Sequence, residues 1–189
     1  IVESGSFFIN PVTVYYEYGI SGGPGSIFVD GGSDGLATAS NSSLEPEVKF
    51  GNDAFGEATV TGGGSLIKII GNGNALQQSR LVIGEDASGL GKMSILFSAE
   101  VLLEDLLGNG TSEFGAEEVV VGEAGGVGDV YIAQDGKLKI LGDGARMWIG
   151  RSDQVVPSGF SIVKLESNAS LSLESRIANK IAEVGMIIG

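Results

Sequence analysis

The apolar positions of this chain recur in one short phrase. A strand of alternating apolar residues closes on a glycine; five to nine residues later a second glycine opens another alternating strand, and a third apolar strand follows. The phrase is clearest where Val119-Val120-Val121-Gly122 leads to Gly128-Asp129-Val130-Tyr131-Ile132 and then to Lys137-Leu138-Lys139-Ile140. It occurs five times, with closing glycines at Gly19, Gly51, Gly84, Gly122 and Gly150, and Gly189 closes a further first strand. Before each closing glycine stand apolar or aromatic pairs two residues apart: Tyr16 and Tyr18, Val48 and Phe50, Leu81 and Ile83, Val119 and Val121, Met147 and Ile149, Met186 and Ile188. Period-two alternation marks a half-buried strand. The opening glycines are Gly25, Gly56, Gly91, Gly128 and Gly159. Behind the first four, the expected inward pairs are Ile27 and Val29, Ala58 and Val60, Met93 and Ile95, and Val130 and Ile132. Leu36, Leu66, Val101 and Leu138 anchor the third strand, with Leu171 and Leu173 arriving slightly later in the fifth instance.

Self-similarity of this length predicts a repeat fold, in which each unit buries its apolar face only against its neighbours. Three strands per unit with glycine at the corners predict an all-β solenoid of five to six coils. One coil alone has too few inward side chains to offset the entropy of ordering it. The corners need either positive φ or close backbone approach, and glycine supplies both without a Cβ clash. The chain reads as one domain, 1–189. A partial coil at 1–13 precedes coils at 14–47, 48–80, 81–118, 119–146 and 147–185, and 186–189 starts another. The run Gly62-Gly63-Gly64 predicts a bulge that shifts register before Leu66-Ile67-Lys68-Ile69-Ile70, which is apolar in both phases. Ala99 to Leu107 is expected to start as a strand, because Val101 lies on the repeat. Ile177, Ile181 and Val184 have helical spacing and predict a short helix within 175–184.

The two ends read as complementary. Gly5-Ser6-Phe7-Phe8-Ile9-Asn10 resembles Gly25-Ser26-Ile27-Phe28-Val29-Asp30, and Met186-Ile187-Ile188 begins a coil whose remainder the N-terminal stretch could supply. An open solenoid end is an unpaired edge, and a head-to-tail contact propagates into a filament. Phe7, Phe8, Ile9, Met186, Ile187 and Ile188 are therefore the candidate assembly residues. The expected partners are further copies end to end, or further coils of a longer chain. The chain begins at Ile1 and not at Met, which suggests processing or an excised segment.

Composition narrows the functional classes. A net charge of −13 with only 11 basic residues argues against nucleic acid and anionic lipid. No apolar run approaches the ~18 residues of a membrane span. Without cysteine there are no disulfides or thiolate metal sites, and without histidine no Ser-His-Asp triad or Cys-His pair. No catalytic residue and no cofactor are assigned. A carboxylate-based, polysaccharide-cleaving enzyme would draw on Glu85 with Asp86, Glu117 with Glu118, and Asp129 or Asp135. Glycoside hydrolysis needs two carboxyls ~5–10 Å apart across a cleft, whereas neighbours in a strand face opposite sides; solvated charge is the simpler reading. Calcium, the one ion weighed, would draw on Asp30, Asp34, Asp129 and Asp143 in turn-rich segments, where turn chemistry explains Asp equally well. Gly125-Gly126-Val127-Gly128-Asp129 approaches a calcium β-roll repeat, but its Asp falls one place early and no second copy exists. Trp148 lies in the phase opposite to Met147 and Ile149 and is the best surface-contact candidate. Asn41, Asn109 and Asn168 open N-glycosylation triplets.

The segments Leu81-Val82-Ile83-Gly84-Glu85-Asp86-Ala87-Ser88-Gly89-Leu90-Gly91 and Val119 to Gly128 resemble the repeats of autotransporter-type passengers and related bacterial surface β-helices. The likeness runs over about residues 14–189. It implies an exported, right-handed parallel β-helix in an adhesin, fibre or surface layer. Uneven coil lengths depart from the pattern. The expected function is thus a non-enzymatic extracellular structural protein at the cell surface, with a glycan- or host-surface-binding module as the alternative.

Overall fold

The fold was read from a computed structural model that describes residues 2–3, 6–9, 15–18, 25–30, 34–38, 47–51, 55–71, 80–105, 117–142, 144–151, 160–174 and 185–188. The strands follow one another in threes. The first coil holds β1 (Val2–Glu3), β2 (Ser6–Ile9) and β3 (Tyr15–Tyr18); the second holds β4 (Gly25–Asp30), β5 (Asp34–Thr38) and β6 (Glu47–Phe50). The third holds β7 (Phe55–Thr61), β8 (Leu66–Gly71) and β9 (Arg80–Glu85), and the fourth β10 (Leu90–Leu96), β11 (Glu100–Asp105) and β12 (Glu118–Glu123). The fifth holds β13 (Val127–Ile132), β14 (Lys137–Leu141) and β15 (Arg146–Arg151), and the sixth β16 (Ile162–Leu165), β17 (Ser170–Glu174) and β18 (Gly185–Ile188). Every third strand pairs, in parallel, to give three six-stranded sheets: sheet A from β1 to β16, sheet B from β2 to β17, and sheet C from β3 to β18. This is a parallel β-solenoid with three strands per coil.

Side chains stack in columns because the register never slips between coils. Val60, Ile95 and Ile132 form one buried column in sheet A, and Ala58, Met93 and Val130 another. Sheet B adds Ile67, Val101 and Leu138, then Ile69, Leu103 and Ile140. Sheet C adds Val48, Leu81, Val119 and Met147, beside Phe50, Ile83 and Val121. These are the alternating positions read from the sequence, and one core runs through them. Tyr16 and Tyr18 hold the same ladder places in β3, opposite Val48 and Phe50.

Each corner solves one problem: the backbone must turn while its N–H and C=O groups keep pointing along the axis, toward the next coil. Between sheets C and A, the closing glycines Gly51, Gly84, Gly122 and Gly150 all have φ between +75° and +79°. The opening glycines have a different reason. A Cβ on Gly91 would lie 2.3 Å from Phe50 O, and one on Gly128 would lie 2.3 Å from Ile83 O, so the backbone of the preceding coil occupies the space. Between sheets A and B the turn uses two successive left-handed residues that are not glycine: Phe97 and Ser98, Gln134 and Asp135, Ser167 and Asn168. Each pair is closed by an i to i+3 bond, such as Gly136 N to Ala133 O at 3.0 Å, and stacks on its neighbour through bonds such as Ser98 N to Gln134 O at 2.9 Å.

Several details depart from the sequence reading. Gly62 and Gly64, both at positive φ, flank the extra residue that the third coil inserts at this corner. The glycine run predicts a bulge, and the corner absorbs the extra residue there: Ile67, not the expected Leu66, stands opposite Val101, and Leu66 stands opposite Glu100. In the second coil Gly35, not the expected Leu36, holds that place, and Leu36 pairs with Lys68. In the sixth coil Ser161, and not Gly159, continues the opening-glycine column, since Asp129 pairs with Ile162. Its hydroxyl accepts the Gly128 N–H at 3.1 Å, so serine replaces backbone approach with a hydrogen bond. The N-terminal phrase is also displaced: Phe7 pairs with Gly35 in sheet B, whereas Val2 supplies sheet A opposite Val29. Val101 lies in strand β11, as its place in the repeat required. The expected helix within 175–184 lies outside the described residues.

The corner geometry makes opposite substitutions act in opposite directions. Gly84→Ala should lower stability by about 2–4 kcal/mol, because its left-handed φ is costly for alanine and the new Cβ would meet Val127 O at 2.0 Å. Ala124, at φ +50°, should gain about 0.5–1 kcal/mol on replacement by glycine. Urea unfolding of both variants measures the pair; equal shifts of the same sign would refute this account of the corners.

Candidate functional site

The densest polar cluster among the described residues lies on the outer face of sheet C. One outward ladder reads Glu47, Arg80, Glu118 and Arg146 across successive coils, so opposite charges alternate along the axis. The next outward ladder reads Lys49, Val82, Val120, Trp148 and Ile187. Beyond the positive-φ glycines, Glu85, Glu123 and Arg151 share a third position.

Two arginines and two glutamates close into a ring across these ladders. Arg80 Nε donates to Glu118 Oε2 at 3.2 Å, and its Nη2 reaches both oxygens of Glu123 at 2.8 and 3.1 Å. Arg151 Nη1 donates to Glu118 Oε2 at 3.1 Å and lies 3.5 Å from Glu123 Oε1. The remaining Glu118 oxygen accepts the Trp148 indole N–H at 3.0 Å, and the Arg151 guanidinium sits 5.2 Å from the Trp148 ring centre. Since Arg80 and Glu123 stand on ladders either side of Val82 and Val120, the ring spans that apolar row, and both valines are fully buried. The ring is neutral as a set, and two further pairs, Lys49 with Glu85 and Lys68 with Glu104, repeat the same inter-coil linkage. Multidentate, partly buried networks of this kind resist loss far more than isolated surface pairs do.

A second, exposed cluster lies on the outer face of sheet A. Tyr131 donates to Glu166 Oε2 at 2.8 Å, Lys164 pairs with Glu166, and the Lys164 ammonium lies 5.6 Å from the Tyr131 ring centre. The hydrogen bond to Glu166 holds the Tyr131 phenol above its ordinary value, with burial and the carboxylate charge adding to it. The same carboxylate raises Lys164, first by its hydrogen bond and then by its charge. Glu166 is lowered, first by the hydrogen bond from Lys164 and next by that from Tyr131.

The structure distributes the sequence-derived candidates widely. Trp148 is half-buried with its N–H and one ring face engaged by Glu118 and Arg151, so it is less available for contact than its phase suggested. Glu117 and Glu118 do not converge. Glu117 is 1 % exposed, its carboxylate lodged so closely on Gly142 that a Cβ there would lie 1.6 Å from Oε2, whereas Glu118 belongs to the ion ring. Glu85 pairs with Lys49; Asp86 and Asp135 are exposed turn residues at positive φ. Asp129 lies half-buried in β13, Asp30 ends β4 and Asp34 begins β5. Among the described residues no group of three or more acidic side chains is placed to hold a metal ion. Asp143, Asn41 and Asn109 lie outside the described residues, and Asn168 is exposed in the turn before β17. Met186, Ile187 and Ile188 are exposed in β18, at 47 %, 39 % and 74 %. Phe7, Phe8 and Ile9 lie in β2, opposite Gly35, Leu36 and Ala37.

The ion ring was missed because Arg80, Glu123 and Arg151 match no motif. Its signal was present: Arg80, Glu118 and Arg146 each directly precede the first inward residue of a sheet C strand. Glu118→Ala should cost about 2–3 kcal/mol, since it takes a carboxylate from two guanidinium groups at once; a change under ~0.5 kcal/mol in urea unfolding would show the ring to be idle. In an alkaline titration followed at 295 nm, Tyr131→Phe should remove a phenol that ionises above the ordinary tyrosine value. The sign follows from the raised folded values of Tyr131 and Lys164: their contribution holds below the unfolded values and is lost as pH rises through the folded ones. That of Glu166 is present above its unfolded value and lost as pH falls through its lowered folded one.

No family model matches this chain, and no curated protein or solved structure matches it either.

Proposed function

We propose that the chain is a non-enzymatic structural β-solenoid, a segment of an extracellular surface fibre or adhesin. The observation that carries this reading is the regularity of the stack: six coils share one register in all three sheets, and the core columns run on into the last coil. Val163, Ala169, Leu171 and Leu173 pack partly buried against the core, while Leu165, Met186 and Ile188 are left exposed on the same columns. A further coil on this edge would bury them at about 25 cal/mol per Å² of apolar surface. Such a stack transmits load along its axis through parallel hydrogen-bond ladders, which suits a stalk or fibre.

The carboxylates weighed for glycan cleavage support the same reading. Glu118 and Glu85 are committed to cations that tie neighbouring coils together, and Glu117 is buried. The pairs Arg80–Glu118, Lys49–Glu85 and Lys68–Glu104 each join neighbouring coils.

Immunogold labelling with antibody raised to the 189-residue chain tests the proposal on producing cells. Label along surface fibres is the expected result. Label confined to the cell interior would overturn it.

A further inference from the structure

The β1–β2–β3 coil carries ladder positions that match those of the β16–β17–β18 edge. We propose that the β16–β17–β18 edge docks the β1–β2–β3 coil of a second copy in continued parallel register; this rests on the structural reading above and names its partner. The ladders fix which residues would meet. Following sheet A through its pairings, Val2 holds the column of Val29, Val60, Ile95, Ile132 and Leu165. In sheet B, Phe7 holds the column that ends at Leu171, and Ile9 the column that ends at Leu173. In sheet C, Tyr16 and Tyr18 hold the columns that end at Met186 and Ile188.

A second copy stacked one coil beyond the sixth would therefore set Val2 on Leu165, Phe7 on Leu171, Ile9 on Leu173, Tyr16 on Met186 and Tyr18 on Ile188. No charged residue falls on any of these five columns at the junction. The contact has the same three-sheet order and the same parallel sense as the coil interfaces within the molecule. It also supplies hydrogen-bond partners to three strand edges at once, which a single added strand would not do. Strand β18, Gly185-Met186-Ile187-Ile188, lacks the lysine or proline that commonly guards an exposed edge. Because the donor and acceptor edges sit at opposite ends, the contact is heterologous and propagates. Phe8 pairs with Leu36 and so stands on a ladder other than these five columns.

Cross-linking tests this register in the intact chain, which has no cysteine of its own. Ser6 and Ser170 share a ladder in sheet B through Asp34, Leu66, Glu100 and Lys137. At the junction they would stand ~4.8 Å apart, within disulfide reach. The Ser6→Cys/Ser170→Cys double variant should give a reducible ladder of multimers under mild oxidation. The Ser6→Cys/Ser94→Cys variant, whose second cysteine lies in sheet A, should not. By electron microscopy the unmodified chain should form filaments with an axial repeat of about 29 Å, for six coils at ~4.8 Å each. Ile188→Lys should abolish filaments while leaving the circular dichroism of the monomer unchanged.

A chain that stays monomeric at every concentration, with no register-specific cross-link, overturns self-docking. The structural reading survives that result if surface labelling holds, because the next coil of a longer polypeptide would then cover the edge. Multimers that cross-link equally well through both cysteine pairs also overturn it, since they report unspecific association.

Discussion

The rest of this structure depends on the continuity of backbone hydrogen bonding along the solenoid axis. A parallel strand donates to one neighbour and accepts from the other, so every coil is both template and substrate for the next. The corners must obey the same rule, for a buried N–H or C=O that loses its partner costs about 1–3 kcal/mol. The molecule meets this requirement by left-handed backbone at both corner types seen among the described residues. Where the closing residue of a sheet C strand needs positive φ beside crowded backbone, only glycine serves. Where the A-to-B turn points side chains outward, Phe97, Ser98, Gln134, Asp135, Ser167 and Asn168 accept the conformation. Their strain is offset by inter-coil bonds such as Asp135 N to Ser167 O at 3.1 Å.

Stacking in fixed register turns sequence neighbours thirty residues apart into contacts at roughly the ~4.8 Å strand spacing. Inside, this produces columns of branched aliphatic residues. Outside, it places like positions of successive coils side by side, so any repeated charge would repel itself. On one sheet C ladder the sign alternates, Glu47 to Arg80 to Glu118 to Arg146, while Glu85 and Glu123, which face one another on a further ladder, each have a cation beside them, Lys49 and Arg80. Sheet B pairs charges diagonally between neighbouring coils, Lys68 with Glu104 and Glu100 with Lys139. A protein of net charge −13 can thus hold locally neutral faces. The Arg80–Glu118–Arg151–Glu123 ring is the strongest case, because both arginines reach the same two carboxylates over a floor of Val82 and Val120.

The same logic explains the last coil. Its inward residues have a partner below and none above among the described residues, which is why Ile188 is 74 % exposed while Ile83, three coils earlier on the same column, is fully buried. A second copy bringing the first coil onto this edge would repeat an interface that the molecule already builds five times.

The sequence by itself determined the architecture. Alternation at Leu81 and Ile83 or Val119 and Val121, punctuated by glycines in fixed order, is a local signal, and local backbone sterics suffice to read it. It pointed to a bulge at the three successive glycines of the third coil, but its pattern marks Leu66 as the anchor where the ladder sets Ile67 opposite Val101. Only the tertiary structure decided which coil positions face one another. Gly159 and Ser161 are equally plausible openers in one dimension, and the ladder from Asp129 to Ile162 selects Ser161. Phe7 matched the sheet A phrase, yet its pairing with Gly35 puts it in sheet B. The closure of the ion ring was decided there for the same reason, although the recurring charged place before each sheet C strand could be read. Arg80, Glu118, Glu123 and Arg151 span about seventy residues of chain, and a charge reveals its partner only once the coils are stacked. Propensity and period act along the chain, whereas charge pairing acts across it, through distances that the fold alone creates.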